Sequence, residues 1–209
     1  MIGETAMSEL TPLEQHVIEV AREDFVTKGI LKTEMRDLAA RVGISRSSLY
    51  RHFPSSLSIA FYVLNDVLTE LMTVEGKIPE SMSGYEQFSL YMHKAVDKLC
   101  VNLNMVRFIK EFDTLYDLKS GTGEAPAEYY ATLSDYSRYQ FIDYYRKGVA
   151  DGSIKPCENV VHTALTFYWV AQSMAEHIML REETYLHEHG AAKEFVVNAV
   201  ELMLAGIKA

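Results

Sequence analysis

The chain has 209 residues and 48% of them are hydrophobic, so it is long enough to bury a sizeable core. Its two cysteines are too few for a disulfide framework, and no segment has the roughly 18 uninterrupted apolar residues of a membrane span. Residues 1–10 lack the basic and apolar regions of a secretory signal, so these features favour a globular cytoplasmic protein over a secreted, membrane-spanning or disordered one.

The net charge of −9 is unevenly distributed along the chain. Residues 28–60 contain six basic and two acidic residues, whereas residues 61–209 contain 13 basic and 21 acidic ones. A short basic segment on an acidic body can contact phosphates locally while the rest of the protein is repelled. Charge alone leaves open whether residues 28–60 bind nucleic acid or are basic by chance.

The first helix is predicted from its capping signals. Thr11 is suited to the cap, Pro12 to the first helical position and Glu14 to the third, which together form a capping box. Hydrophobic residues then recur at helical spacing as far as Phe25, and Gly29 predicts the end of the helix.

Similar signals predict the next three helices. Thr33 is suited to cap a second helix that ends at Gly43, and Ser45 is suited to cap a short third helix that extends to about Arg51. A fourth helix is predicted over about 57–74, where apolar residues again follow the helical period.

The rest of the chain also has the hydrophobic period of helices and lacks the alternation of strands. Residues 76–84 predict a linker, and residues 119–126 predict a flexible loop. Five further helices are predicted over about 85–100, 103–118, 127–150, 158–183 and 190–207. About nine helices with short connections indicate an all-α protein.

The second helix, the short turn opened by Gly43 and the third helix have the proportions of a helix-turn-helix. Ile44 and Leu49 are suited to the core between the two helices. The other side chains from the turn to the end of the third helix can all donate hydrogen bonds and none is acidic: Ser45, Arg46, Ser47, Ser48, Tyr50, Arg51 and His52. Such a helix suits entry into the major groove of DNA. The alternative is a tight helical hairpin with a solvated basic face.

Residues of about 12–60 resemble the N-terminal domain of TetR-type transcriptional regulators. The residues that resemble the family are Ile18, Ala21, Phe25 and Gly29, then Leu38-Ala39, Val42-Gly43-Ile44-Ser45 and Leu49-Tyr50-Arg51-His52-Phe53-Pro54-Ser55. The resemblance implies an N-terminal three-helix helix-turn-helix DNA-binding domain over 1–56. It also implies a C-terminal helical ligand-binding and dimerisation domain over 57–209, with 57–74 as the connecting helix. The implied partners are a palindromic double-stranded DNA operator, a small-molecule effector and a second copy of the chain, with no cofactor.

The same resemblance assigns individual roles on the DNA-binding face. Arg46 is expected to contact a base, Tyr50 and His52 to contact phosphates, and Thr33 to cap the second helix and touch a phosphate. The complete predicted face is Thr33, Ser45, Arg46, Ser47, Ser48, Tyr50, Arg51 and His52. The chain departs from the family pattern at Glu34, Ser47 and Ser56, and each lost phosphate contact is expected to weaken DNA binding.

Aromatic residues in the C-terminal part predict a ligand cavity. Seven large residues fall on one arc of the predicted 127–150 helix: Tyr129, Tyr130, Leu133, Tyr136, Phe141, Tyr144 and Tyr145. A buried tyrosine needs a partner for its hydroxyl, which a polar ligand can supply. The predicted ligand-binding residues are Phe108, Phe112, Tyr116, Tyr136, Phe141, Tyr144, Tyr168, Trp169 and Gln172. The alternative is that these tyrosines pack at partly exposed positions.

The predicted helices 158–183 and 190–207 are apolar over more of their circumference than one core requires. A two-fold dimer that packs both helices as a four-helix interface would bury the second side. We therefore expect a homodimer, and a monomer with a larger core is the alternative.

Two other functional classes find little support in the sequence. His187 and His189 fall in a predicted loop beside Gly190, and no set of ligands completes a metal site. Glu176 and His177 are adjacent, so their side chains diverge along a helix and do not form an acid–base pair. We predict a cytoplasmic, ligand-responsive repressor that is not an enzyme. The alternatives are a helical sensor that has lost DNA binding and an all-α enzyme.

Overall fold

A computed structural model describes residues 10–119 and 139–209, with only the backbone described at 117–119. The ten helices in these ranges are α1 (Pro12–Lys28), α2 (Met35–Val42), α3 (Arg46–His52), α4 (Ser56–Met72), α5 (Gly84–Val101), α6 (Leu103–Lys119), α7 (Gln140–Ala150), α8 (Val160–Met179), α9 (Glu182–His189) and α10 (Lys193–Ile207). The described residues form no strand beyond one isolated bridge between Ile154 and Lys208. The predicted all-α class is therefore confirmed.

The helices group into two compact units. The described part of the first unit is 10–70 and 107–119, and that of the second is 71–106 and 139–209. The division falls inside α4 and α6, so each of these helices has residues in both units. This grouping by contacts is a different division from the predicted functional domains, whose boundary at 56 and 57 stays a prediction.

Helix α1 begins and ends as its capping signals predict. The Thr11 hydroxyl accepts a hydrogen bond from the Glu14 backbone N–H at 3.3 Å, and the Glu14 carboxylate accepts one from the Thr11 N–H at 2.8 Å. The helix ends at Gly29, whose φ of 101° favours glycine. Its buried face packs into the first unit through Val17, Ile18, Ala21 and Phe25.

The predicted cap of α2 is wrong. The residue that precedes α2 is Glu34, and its side chain makes no capping hydrogen bond. The Thr33 hydroxyl instead donates to the Gly29 carbonyl at 2.8 Å, which closes the turn after α1. Thr33 therefore stabilises the connection between the two helices and does not cap the second one.

The last helices differ from the predicted ones in their bounds. The predicted helix 158–183 ends at Met179, and Glu182–His189 form a separate helix, α9. His187 and His189 therefore lie in a helix, so the loop predicted for them is wrong. The predicted loop after residue 119 and the first part of the predicted 127–150 helix lie outside the described residues.

The second unit is built around α5, which packs against α7, α8 and α10. Its core contains edge-to-face aromatic contacts, with the Phe88 ring 5.1 Å from the Tyr145 ring and 5.0 Å from the Phe167 ring. Such pairs stabilise a core beyond the area that they bury. No helix within residues 10–119 and 139–209 combines the length and apolar character needed to cross a membrane.

Two glycines allow the start of α5 to touch the end of α7. A Cβ added at Gly84 would lie 1.9 Å from the backbone nitrogen of Gly148. The Gly84 N–H donates to the Asp151 carboxylate at 2.7 Å, which fixes the same contact from the other side. Neither backbone can retreat without breaking the packing of α5 on α7.

We predict that Gly84→Ala strongly destabilises the second unit. Overpacking a well-packed site typically costs about 1–3 kcal/mol, and a clash between two backbones lies at or above the top of this range. The free energy of unfolding, measured by urea titration, tests this.

Gly206→Ala is the matched control because it adds the same methyl group to a helix of the same unit, where no atom lies within 4 Å of the new Cβ. Its stability is expected to be unchanged or raised by up to about 1 kcal/mol through helix propensity. Equal effects of the two substitutions would show that α5 and α7 do not touch at Gly84.

Candidate functional site

The position of α3 is set by a left-handed turn and two buried anchors. Gly43 has φ 79° and ψ 27°, a conformation that favours glycine, and the next residue, Ile44, donates its N–H to the Ala39 carbonyl at 3.0 Å. Leu49 and Phe53 are almost completely buried and hold the helix against the first unit. The predicted helix-turn-helix geometry is therefore present in the structure.

The first turn of α3 is rich in hydroxyl groups. The Ser45 hydroxyl accepts a hydrogen bond from the Ser48 N–H at 3.1 Å and so caps the helix as predicted. The Ser47 hydroxyl lies 3.0 Å from that of Ser45, and both side chains are exposed. This turn brings hydroxyl donors and the positive end of a helix to one surface, which suits contact with phosphates.

Arg46, Tyr50 and Arg51 complete the exposed face of α3. The Arg46 guanidinium lies 5.3 Å from the centre of the Tyr50 ring, a cation–π contact that limits the orientations of both side chains. Arg51 donates to the Ser48 hydroxyl at 3.4 Å. The structure therefore places seven of the eight predicted residues on or beside one helix: Ser45 to Ser48 and Tyr50 to His52.

His52 is oriented by Glu14, an acidic residue that was predicted only to cap α1. The His52 Nδ1 atom lies 3.0 Å from Glu14 Oε1, and both side chains are mostly buried. Burial acts to raise the pKa of Glu14, but the hydrogen bonds from Thr11 and His52 outweigh it and hold the pKa below its usual range. The Nδ1 atom of His52 therefore faces α1. The contact of His52 with a phosphate stays a prediction, and it would involve the other ring nitrogen.

Ion pairs neutralise much of the basic segment. Arg36 pairs with Glu34 at 3.3 Å and with Asp37 at 2.9 Å. Arg41 pairs with Glu23 and Asp24, and the same Asp24 also holds Lys28 at 2.6 Å. Among the described residues, Lys32, Arg46 and Arg51 form no ion pair. The unpaired positive charge is therefore concentrated on α3 and on the turn before α2.

The second unit contains a stack of aromatic rings. The Phe141 ring lies 5.1 Å from the Tyr91 ring and 5.9 Å from the Tyr168 ring, and the Tyr144 ring lies 6.3 Å from Tyr91. The structure thus brings together three of the predicted ligand-binding residues, Phe141, Tyr144 and Tyr168. Tyr91 was not predicted, because nothing in the pattern of α5 distinguishes it from an ordinary core residue.

Two polar atoms beside this stack have no hydrogen-bond partner among the described residues. They are the Tyr168 hydroxyl and Gln172 Oε1, which lie one turn apart on α8. Tyr168 is fully buried and Gln172 is 6% exposed. Burial, with further contributions from Tyr91 and Tyr139, raises the pKa of Tyr168 well above its ordinary value, so the hydroxyl stays neutral. An unpaired buried polar group costs about 1–3 kcal/mol, which a ligand that pairs with it would recover.

Four other predicted ligand-binding residues have described positions: Phe108, Phe112, Tyr116 and Trp169. Phe108, Phe112 and Tyr116 belong to the first unit, where the Phe112 ring lies 5.1 Å from Phe61 and 6.1 Å from Tyr116. Trp169 is 40% exposed, and its ring lies 5.8 Å from the Tyr168 ring at the edge of the stack. Tyr136 lies outside the described residues. A single cavity lined by all nine residues stays a prediction.

Metal chemistry has no candidate site in the part of the chain that the structure describes. Within it, no three His, Cys, Asp or Glu side chains are close enough to hold an ion. Glu176 and His177, the adjacent pair on α8, belong to no such group.

Comparison with known proteins agrees with this geometry. Residues 17–57, which contain α2, α3 and most of α1, match the model of the family described as bacterial regulatory proteins, tetR family. The HTH-type transcriptional repressor KstR2 of Mycolicibacterium smegmatis is 28% identical over 144 residues. That match covers 67% of this chain and 66% of the relative, so it spans slightly less than two thirds of the relative's length.

Solved structures share the fold over nearly the whole chain. A regulatory protein of the tetR family from Rhodococcus RHA1 superposes with a TM-score of 0.59 at 17% identity, over 96% of this chain and 99% of that one. The fatty acid degradation regulator FadR from Bacillus halodurans superposes with a TM-score of 0.61 at 10% identity, over 94% and 96% of the two chains. At these identities the likeness shows the fold alone.

The Glu14–His52 contact predicts acid sensitivity of the fold. Because the pKa of Glu14 is lower in the folded chain than in the unfolded one, ionised Glu14 stabilises the fold above about pH 4.5, and this stabilisation is lost as the pH falls through the folded pKa. Glu14→Gln is expected to lower the free energy of unfolding by about 1 kcal/mol at pH 7 and by little at pH 3. Urea titrations at the two pH values measure the difference.

Glu19→Gln serves as the control for this comparison, because the Glu19 side chain is 77% exposed and lies on the same helix. It is expected to change stability little at either pH. A Glu14→Gln effect that is as large at pH 3 as at pH 7 would contradict the assignment.

Proposed function

We propose that this chain is a member of the tetR family of bacterial regulatory proteins and a cytoplasmic repressor that leaves its DNA operator when a small molecule binds. The observation that supports this best is α3 itself. Its capped start, its hydroxyl groups and its Arg46–Tyr50 pair form a donor-rich face inside the matched segment 17–57. The relative from Mycolicibacterium smegmatis is named a transcriptional repressor, which favours repression over activation.

On the DNA, α3 enters the major groove with its first turn leading. Arg46 donates to O6 and N7 of a guanine, the geometry in which arginine discriminates best between base pairs. Ser45, Ser48 and Tyr50 donate to phosphates and fix the register, and Thr33, Ser47, Arg51 and His52 contact the backbone around them. Glu34 does not oppose this binding strongly, because its charge is paired with Arg36.

A palindromic operator requires two copies of α3, and the second unit offers a surface for pairing. Trp169 on α8 and Phe195 and Leu202 on α10 are exposed at 40%, 37% and 76% of their surfaces. We propose that α8 and α10 pack against the same helices of a second chain, which buries these side chains. The two recognition helices then meet half-sites about one helical turn, or a multiple of it, apart.

The small molecule binds beside Tyr168 and Gln172 in the second unit. These side chains offer one hydroxyl and one carbonyl oxygen inside an apolar, aromatic environment. A charged ligand would lose its hydration there without gaining an opposite charge, so a neutral molecule is favoured. We propose a largely apolar effector with a hydroxyl or carbonyl group that pairs with Tyr168.

Release follows from a shift in population. The effector binds one state of the dimer more tightly and can move the equilibrium only by that difference in affinity. Helices α4 and α6 are continuous and contain residues of both units, so they are the elements through which a change at Tyr168 reaches α3. This assigns to α4 the role of the connecting helix.

Selection of bound duplexes from a random DNA pool at physiological salt tests the proposal. The full chain is expected to enrich a palindrome with two chains per duplex. Arg46→Ala is expected to lower affinity for that palindrome about 10- to 100-fold by removing a base contact. Tyr50→Phe is expected to lower it about fivefold by removing one hydrogen bond to a phosphate.

Arg146→Ala is the control for these variants, because it removes an exposed arginine of the second unit that pairs with Asp143. It is expected to bind the selected palindrome like the unaltered chain. If no sequence is enriched and all three variants bind alike, the chain is a sensor without specific DNA binding, and the proposed function is wrong.

A second prediction concerns the unpaired hydroxyl of Tyr168. Tyr168→Phe removes a polar atom that has no partner in the described part of the chain, so the ligand-free protein is expected to gain about 1 kcal/mol in stability. The same variant is expected to lose most of the thermal stabilisation that neutral hydroxyl- or carbonyl-bearing apolar compounds give the unaltered chain.

Tyr91→Phe is the matched control because its hydroxyl donates to the Met72 carbonyl at 2.6 Å. Removing it leaves that carbonyl unpaired and is expected to lower stability by about 1 kcal/mol, the opposite sign. If Tyr168→Phe also destabilises the ligand-free protein, its hydroxyl has a partner and the proposed effector site is wrong.

A further inference from the structure

We propose a second ligand site, for an amphipathic organic anion, in a groove of the first unit. The groove lies between the end of α1, the turn that follows it and residues 107–115 of α6. Its volume is about 570 Å³, within the range of sites that bind small molecules. It contains none of the residues assigned to the effector in the second unit, and this inference does not depend on the proposed function.

The floor of the groove is apolar. The Phe25 and Phe108 rings stack there with centroids 6.4 Å apart, and Leu115 extends the floor along α6. Leu31 at the edge is 73% exposed, although it is a large aliphatic side chain beside a concave apolar surface. The two rings are themselves almost completely buried, so a hydrocarbon chain in the groove would mainly remove the exposed parts of Leu31 and Leu115 from water, which stabilises the complex.

The rim of the groove is positively charged. Four basic side chains line it, Lys28, Lys32, Arg107 and Lys110, against one acidic side chain, Glu111. This excess occurs in a chain whose net charge is −9, so the groove differs in sign from the protein as a whole. A concentration of positive charge around a concave surface attracts anions.

The one carboxylate in the groove is already engaged. Glu111 accepts hydrogen bonds from the N–H groups of Ile30 and Leu31, both at 2.9 Å. These two donors offset its charge and hold it against the turn, so it opposes a bound anion less than a freely mobile carboxylate would. Lys28 is held by Asp24, whereas Lys32 at the turn forms no ion pair among the described residues, so Lys32 is the side chain that we expect to meet the anion first.

The combination of floor and rim distinguishes between two sources of anion. The phosphates of a DNA backbone would satisfy the rim, but they would leave Leu31, which is 73% exposed, and the accessible part of Leu115 in contact with water. A single molecule with an anionic head and an aliphatic or aromatic tail satisfies both. We therefore assign the groove to an alkyl phosphate, an alkyl carboxylate or a compound of the same chemistry.

Decyl phosphate is a suitable probe, with decanol and inorganic phosphate as its two halves. Calorimetric titration of the full chain is expected to show binding of decyl phosphate that weakens as salt is raised. Decanol and inorganic phosphate are each expected to bind at least about tenfold more weakly, because each satisfies only one part of the groove. Equal affinity of decanol and decyl phosphate, or no binding of decyl phosphate, would overturn the proposal.

Variants locate the bound probe. Lys32→Gln/Lys110→Gln is expected to lower the affinity for decyl phosphate about tenfold by removing two charges at the rim. Lys77→Gln/Lys155→Gln, which removes two exposed lysines of the second unit, is expected to leave it unchanged. Thr114→Trp is expected to block the groove and abolish binding.

Failure of this site is distinguishable from failure of the proposed function. If the Lys32 and Lys110 double variant binds decyl phosphate as tightly as the unaltered chain, the probe binds elsewhere and the groove is not its site. If that variant loses only affinity for DNA, the lysines serve the DNA backbone and the proposal is overturned. The lysine variants decide the outcome if Thr114→Trp does not fold.

Discussion

Helix α3 has seven residues, fewer than an isolated helix needs to persist in water, so packing against α1 and α2 has to hold it in place. Leu49 and Phe53 bury its apolar side, and the left-handed turn at Gly43 sets its direction after α2. Contact between His52 and Glu14 fixes its last turn to the first turn of α1. Every exposed donor on α3 takes its position from these contacts, so the proposed recognition of DNA depends on the integrity of α1.

Contacts within the first unit also determine which of its positive charges are neutralised by an ion pair. Acidic side chains of α1 and of the start of α2 pair with Arg36 and Arg41. These ion pairs stabilise the first unit and offset the positive charge of the two arginines. The positive charge that stays unpaired lies on α3, where a polyanion can approach, and at Lys32 beside the groove. A strongly acidic body therefore does not prevent local contact with phosphates, because screening in water limits repulsion to short distances.

The second unit combines tight packing with two buried polar atoms that lack a hydrogen-bond partner among the described residues. Its helices pack tightly enough that two glycine backbones meet at Gly84 and Gly148, yet the Tyr168 hydroxyl and the Gln172 oxygen find no hydrogen-bond partner within the described ranges. Proteins seldom leave buried polar atoms without partners, since each lowers the stability of the fold. Such atoms in an otherwise well-packed unit are the feature expected of a protein that is stabilised when it binds a ligand.

Local signals in the sequence were sufficient for most of the helices and for the recognition face. The capping box of α1, the cap at Ser45 and the turn at Gly43 involve residues three or four positions apart, so a reader of the sequence can recognise them. The prediction that Thr33 caps α2 was wrong, because its hydroxyl can form a hydrogen bond either at the start of α2 or at the end of α1. Prediction also failed at α9, where a short polar helix has no hydrophobic period to reveal it.

The all-α class, the helix-turn-helix and the residues on α3 could therefore be predicted from the amino-acid sequence alone. Three features became visible only in the folded chain: the contact of Glu14 with His52, the stacking of Tyr91, Phe141 and Tyr168, and the basic groove between α1 and α6. The fold also determines which basic residues of the segment 28–60 keep an unpaired charge. Caps and turns are made by neighbours along the chain, whereas these contacts join residues that are far apart in the sequence, by 38 positions for Glu14 and His52 and by 81 for Ile30 and Glu111. No local pattern encodes such contacts.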